Sequence, residues 1–331
     1  MMKLLQALFR GLHARLAPGP KPIVRWYVEL ISFICRRLPR TWATHMKISM
    51  NGYALPWSVR EFPARPVEVG LATTIRLAPH LGEFDEGALF FRRMDYEQDV
   101  FGWLERHAAG SYDIVIEIGA NVGVFTCFFD ALIKATPDAR LSEVVAFEPS
   151  QEAHRRLLIN LAANGASKVK AFNAAVAEEA GFRTFFEPRN HLTNGSFDKE
   201  FSRIFSNDVD ERTVQAVAAA DLGTFLKKRQ HPLIKMDVEG YEATLLGSMA
   251  GIVAAHHPDF LIEVLGDSPA DLEAIDALKP YHRFLIAKDG LQLHPRLFAD
   301  DTLRDWLLVH PRSLVSPDGL QASIAERMQP A

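Results

Sequence analysis

From Tyr112 onward the sequence alternates short apolar runs with longer amphipathic ones, and this alternation leaves few folds open. "DIVIEIG" reads as a strand and "VFTCFFDALIKAT" as a helix. "EVVAFEPS" is a second strand, after which Ser150 is placed to cap the helix "QEAHRRLLINLAANG" that Gly165 stops. "VKAFNAAVA" is a third strand, and an irregular stretch lies over 187–212. Then come the helix "LGTFLKKRQ", the strand "PLIKMDVEG", the helix "YEATLLGSMAGIVAAHH" and the strand "DFLIEVLG". The helix "SPADLEAIDALKPY" and the strands "RFLIAKD" and "DWLLVHP" complete the series. Strands this uniformly apolar are buried on both faces. The pattern predicts an α/β, doubly wound, mostly parallel seven-stranded sheet over 111–312, with helices on both sides.

Before it, the prolines and short alternating runs of 48–110 predict a small strand-rich subdomain, whose helix "DYEQDVFGWLERHAAG" ends at Gly110. Residues 313–331 are a tail. Residues 1–47 hold nine Lys/Arg and one acid, Glu29, whereas the remainder has 28 bases against 40 acids. An acidic body excludes a broad nucleic-acid groove. Leu4, Leu8, Leu12 and Leu16 recur every four residues opposite Lys3, Arg10 and His13, which predicts an amphipathic helix with a basic side. Such a helix suits peripheral contact with an anionic membrane, or packing on the body or a second subunit. The next apolar run is interrupted by Arg25 and Glu29 and is too short to span a bilayer. Two cysteines, Cys35 and Cys127, make no disulfide framework and point to a cytoplasmic setting; Cys127, among phenylalanines, reads as core.

Ligands of doubly wound sheets bind beyond the carboxyl ends of the strands. Glu117, Glu148, Asp237, Glu239 and Glu263 lie at such ends, while His256, His257 and His282 precede strands and read as structural. "EIGANVG" has Gly119 and Gly123 but lacks the third glycine of the dinucleotide fingerprint. Glu117 would also repel phosphates and favour an ammonium group. A ligand with an amino-acid end and a nucleoside end fits, and S-adenosylmethionine is one. Glu148, 25 residues past Gly123, stands where a ribose-binding carboxylate is expected.

"IEIGANVGVFT", "VVAFEPSQEAHRRLLINLAANG", "VKAFNAAVAEEAG" and "LIKMDVEGYEATLLGS" together resemble the FkbM-type methyltransferases over roughly residues 92 to 310. The resemblance implies a class I, Rossmann-like methyltransferase domain that uses S-adenosylmethionine, largely on hydroxyls of sugars and polyketides. It implies that Glu117, Gly119, Asn121 and Gly123 hold the methionine end and Glu148 the ribose, with Ala120 and Pro149 in the same set. Asp237 and Glu239 would face the transferred methyl, and Tyr96 and Glu97 would close over the cofactor. Many family members have Asp where this chain has Glu117. The basic helices before residue 47 are not part of the motif set.

Asp237 and Glu239, two apart, project to one side if their strand persists, and mutual repulsion would push one pKa upward. Asp237 is then the base and Glu239 orients substrate or cofactor; alternatively one of them caps the next helix. Asp237, Glu239 and Glu263 could also hold Mg²⁺, though no motif demands a metal. His191, Asn194 and Ser196, in the irregular stretch, are expected to contact the acceptor or to lie in a solvated loop, and His191 is a second candidate base. The expected partner is a small-molecule or glycan acceptor. A nucleotide-dependent oxidoreductase is disfavoured by the missing glycine and Glu117, and a non-catalytic scaffold by the intact "DVEG".

Overall fold

The computed structural model describes residues 10–37, 57–81, 97–189, 191–266, 268–288, 290–300 and 303–315. Five strands lie parallel, in the order β5 (Val169–Phe172), β4 (Val144–Phe147), β3 (Ile114–Ile118), β9 (Pro232–Met236) and β10 (Asp259–Glu263). Beside β10, β13 (Asp305–Val309) runs antiparallel, and β11 (His282–Ala287) is antiparallel to β13. All seven expected strands are present, and an eighth, β12 (Gly290–His294), folds back on β11 through the pair Ala287–Gly290. The sequence carried a signal for that hairpin, an Asp-Gly dipeptide at 289–290.

Alternation along the strands divides the core into two layers. Val115, Leu233 and Leu261 face α2 (Gln98–Ser111), α3 (Val124–Ala135) and α4 (Gln151–Asn164). Ile116, Ile234 and Ile262 face the opposite layer, which includes α7 (Glu242–Ser248) and α8 (Ala250–His256). The hairpin of β1 (Arg65–Val69) and β2 (Thr73–Leu77) packs into the first layer through Val69, Ile75 and Leu77. The expected helix over 241–257 is thus two helices, broken at Met249. The expected helix over 268–281 shortens to α9 (Ser268–Glu273) and a 3-10 turn, and "LGTFLKKRQ" to the single turn α6 (Gly223–Leu226). Gly110 does not end its helix, since α2 continues to Ser111.

Two stretches differ more deeply from expectation. "VKAFNAAVA" is two strands, because the Asn173 amide donates to the Glu148 and Pro149 carbonyls and takes the chain out of the main sheet. The second of the two, β6 (Ala175–Ala177), joins a separate sheet of order β6-β8-β7. The stretch 187–212 is not irregular, since β7 (Gly181–Pro188) and β8 (Val209–Ala218) pair antiparallel across it. Between them, α5 (Lys199–Phe205) is capped by Asp198, which accepts from the Glu200 amide at 2.8 Å.

A third cluster joins residues 10–16 and α1 (Lys21–Arg37) to Trp57, Phe62 and Leu81. Here the expected faces are exchanged at two positions, with His13 buried and Leu12 exposed. His13 is accommodated by the Tyr27 hydroxyl at 2.7 Å, and burial lowers its pKa to about 4. Residues 4–9 of the expected helix and most of the tail lie outside the described residues. No helix among the described residues is long and apolar enough to cross a membrane.

Where β3 turns into α3, Gly123 has φ 85°, and a Cβ there would sit 2.2 Å from Leu157 Cδ1 on α4. Gly123→Ala is expected to lower stability by about 1–3 kcal/mol through strain and overpacking. Urea denaturation measures this, and an unchanged midpoint would refute the packing argument.

Candidate active site

The β3–α3 loop is tied to both neighbouring strands. The Gly119 and Ala120 amides both donate to the Phe147 carbonyl at 3.0 Å, at the end of β4. Gly119 has φ 84°, and a Cβ on it would lie 1.9 Å from the Asp237 carbonyl oxygen. Only glycine lets the two chain segments approach so closely. Beyond it, Asn121 adopts φ 50° and its amide donates to Glu148 Oε2 at 2.7 Å. Glu148 Oε1 accepts from the Ser150 amide at 2.8 Å. Burial outweighs these two bonds and pushes the Glu148 pKa up to about 8.

Gly119, Asn121, Glu148, Pro149, Val176 and Tyr241 line one pocket at this end of the sheet. Asn121 Oδ1 is buried there with no hydrogen-bond partner among the described residues. A missing Cβ, an unpartnered amide oxygen and a carboxyl with spare lone pairs, beside the ring of Phe147, fit a nucleoside with a polar tail. S-adenosylmethionine meets that description.

Glu117 faces elsewhere. With Val115 it lies on the α3 side of β3, where it is buried, accepts from Thr126 Oγ1 at 2.6 Å and lines neither cleft. Its neighbour across the ladder is Lys235, in the register pair Glu117–Lys235. The ammonium that Glu117 meets is therefore the protein's own. Burial pushes the Glu117 pKa up to about 7, against the pull of Lys235 and Thr126. Lys235 is 5% exposed, with Nζ 3.1 Å from Asp237 Oδ2 and 4.4 Å above the Phe125 ring. Burial alone would lower its pKa; Asp237, Glu117 and Glu97 together raise it. Sequence reasoning passed over Lys235, although a charge inside "PLIKM" was a visible signal.

A second cleft of about 470 Å³ opens on the other side of Asp237. Glu97, Lys235, Glu263, Lys288, Arg304 and Asp305 line it, and Asp237 is the residue its lining shares with the first pocket. Burial raises the Glu263 pKa to about 8, with repulsion from Asp237 and Asp305 adding to it. Glu97 is raised by burial and by Asp305, and it adopts φ 43° at the start of α2. Asp305 and Arg304 were also missed. They begin a strand, but β13 runs antiparallel, so its start lies level with the end of β10, as the pair Glu263–Asp305 shows.

The remaining predicted residues divide. Ala120 is buried, its amide engaged by Phe147, and Gly123 serves helix packing; neither lines the pocket. β9 ends at Met236, and Glu239 has φ 53°, so strand geometry does not set Glu239 beside Asp237. Its carboxylate instead accepts from Asn194 Nδ2 at 3.1 Å. Ser196 is buried and donates to the Glu239 carbonyl at 2.9 Å, which makes it a brace rather than an acceptor contact. His191 stands against the Phe205 ring, outside the lining of both clefts. Tyr96 lies outside the described residues. Asp237, Glu239 and Glu263 are held by Lys235, Asn194 and Arg304 respectively, and no metal-binding group is present among the described residues.

Replacing the buried ammonium leaves two carboxylates uncompensated, so Lys235→Met is expected to destabilise by about 3 kcal/mol at pH 8. A raised carboxyl pKa gives stability that is present at low pH and lost as pH rises through the folded value. Glu117 titrates near 7 even with Lys235 present, so the deficit is expected to shrink at pH 6. Urea melts of both proteins at the two pH values test this, and equal deficits would exclude the coupling.

Residues 117–286, just over half of the chain, match the Methyltransferase FkbM domain. No curated protein matches the sequence. Among solved structures, methyltransferase FkbM from Methylobacillus flagellatus KT is 16% identical with a TM-score of 0.38, over 59% of this chain and 43% of that one. The alignment therefore spans less than half of that relative. The S-adenosylmethionine-dependent O-methyltransferase of Thermotoga maritima is 10% identical, TM-score 0.34, over 64% of this chain and 65% of that one. SMU.1697c of Streptococcus mutans, solved in complex with SAH, is 12% identical, TM-score 0.35, over 63% of this chain and 94% of that one. On the match that runs from Glu117 through the glycine loop and "KMDVEG" to β11, the chain belongs to the FkbM methyltransferase family.

Proposed function

We propose that the chain transfers a methyl group from S-adenosylmethionine to a hydroxyl oxygen of a sugar, glycan or polyketide-type acceptor. The observation that carries this reading is the place of Asp237, the residue common to the linings of the pocket beside Gly119 and of the acid-lined cleft. Gly119, Asn121, Glu148 and Pro149 would hold the cofactor, with Glu239 and Tyr241 at the pocket's far wall. When bound, S-adenosylmethionine supplies a methyl already activated by its sulfonium. The protein then has to place an acceptor oxygen in line and take one proton.

Asp237 receives that proton in this scheme, and Lys235 fixes its carboxylate through a hydrogen bond of 3.1 Å. Glu263, with its pKa near 8, is protonated for much of the time at neutral pH and can donate as well as accept. A wall of such carboxyls suits the several hydroxyls of a polyol.

Two substitutions and a titration test the assignment. Glu148→Ala is expected to weaken S-adenosylmethionine binding by about 1.5–3 kcal/mol in calorimetry. Asp237→Asn is expected to bind the cofactor nearly normally while turnover falls about 10²–10⁴-fold over a panel of glycan and lipid-linked sugar acceptors. Preference for NAD over S-adenosylmethionine or S-adenosylhomocysteine would end the methyltransferase reading. Near-normal turnover of Asp237→Asn would remove it as the base and make Glu263 the next residue to replace.

A further inference from the structure

The helix α1 is apolar on two stripes where one suffices for packing. Val24, Tyr27, Val28 and Ile31 are buried against Trp57, Phe62 and Leu81. Ile23, Trp26, Leu30 and Phe33, spaced as a second helical stripe, are 52%, 66%, 37% and 53% exposed. A helix on a globular body ordinarily shows solvent a polar face. This one shows tryptophan and phenylalanine, flanked by exposed Lys21, Arg25 and Arg37, with the Arg37 guanidinium 3.5 Å from the Phe33 ring. Its one acid, Glu29, is engaged by both terminal nitrogens of Arg65, at 2.6 and 2.8 Å, and adds no free negative charge to the stripe.

A second feature stands next to the stripe. Lys21, Arg25, Trp26, Trp57 and Arg60 line an open cavity of about 910 Å³ between α1 and residues 57–61. Glu61, the acid on its wall, is held by Arg155 at 2.9 Å. Trp57 is 5% exposed, yet its indole nitrogen has no hydrogen-bond partner among the described residues. A buried donor with no acceptor among the described residues, on a residue lining a cavity that three bases also line, marks a site for an anionic oxygen group.

We infer that the α1 face docks on an anionic phospholipid surface, with Ile23, Trp26, Leu30 and Phe33 in the acyl boundary and a headgroup phosphate in the Lys21–Arg25–Arg60 cavity. Apolar anchors bordered by bases are the requirements for a helix lying in a bilayer interface. The same composition argues against a second copy of the chain. A two-fold contact through this face would set its bases against themselves. Residues 1–47, with nine bases to one acid, extend the same charge.

Flotation of the full chain with vesicles tests the inference, which is independent of the methyltransferase reading. Binding is expected to phosphatidylglycerol vesicles at low salt, to weaken with added salt, and to be absent with pure phosphatidylcholine. Lys21→Gln/Arg25→Gln/Arg60→Gln is expected to weaken it about 100-fold, at roughly fivefold per base. Trp26→Ser/Phe33→Ser is expected to weaken it at least about tenfold. In both, thermal melting should stay near that of the unsubstituted protein, because the changed side chains, Arg60 apart, are exposed. Quenching of tryptophan fluorescence by brominated lipid gives a check on the unsubstituted chain. No flotation with phosphatidylglycerol, equal flotation with both lipids, or insensitivity to both sets of substitutions would overturn the inference. So would a concentration-dependent dimer that Trp26→Ser/Phe33→Ser abolishes, since a second copy would then be the occupant.

Discussion

Lys235 carries a full positive charge into the plane between β3 and β9, where almost every other side chain is hydrocarbon. Taking an ammonium out of water costs several kcal/mol, and no single surface-type ion pair offsets that. Three groups do so jointly: Asp237, in contact; Glu117, across the ladder; and the face of Phe125. The arrangement is poor as a source of stability, since a hydrocarbon in place of the whole cluster would fold as well or better. It is effective as a fixture. A carboxylate at a strand end would otherwise swing in solvent, and Lys235, which lines the acid-rich cleft, holds that of Asp237 at one point.

Backbone geometry reaches the same point from the other side. Gly119 has no Cβ because the Asp237 carbonyl occupies that space, and the Asp237 amide donates to the Ile118 carbonyl at 3.0 Å. The glycine loop and "KMDVEG", far apart in sequence, are thus one mechanical unit. A ligand that moves Gly119 presses on Asp237, the residue proposed to face the acceptor. On that proposal, coupling between cofactor and acceptor needs no lid, because the two segments are already in contact.

Features set by local interactions were the ones legible in the sequence. The Ser150 cap and the αL cap at Gly165 depend on residues within one or two turns, and each stands where expected. Glu148 was legible because a βαβ unit fixes its position relative to the loop. Glu117 was placed in the right strand and given the wrong partner. Its partner is set by which strand lies alongside, and β9 adjoins β3 only through the order of the sheet. Asp305 was invisible for a related reason, since a strand's direction decides which of its ends faces the ligand. The pairing of Asp237 with Glu239 failed on a single dihedral. Positive φ at Glu239 and again at Gly240 turns the chain before strand alternation can act.

The acid-lined cleft narrows the chemistry further than the fold does. Glu97, Glu263 and Asp305 all have pKa values raised by burial, and each charge added there makes the next harder to place. An acceptor that displaces water from the cleft deepens the burial and pushes these carboxyls further toward their protonated forms. Asp237 is contacted by the Lys235 ammonium at 3.1 Å and Glu263 by the Arg304 guanidinium at 3.4 Å. On the reading proposed above, a neutral acceptor meets carboxyls able to donate hydrogen bonds, and Asp237, with Lys235 beside it, receives the proton. In that proposal, acceptor binding and proton acceptance are separate tasks carried by separate carboxyls, and the Lys235 contact distinguishes the second from the first.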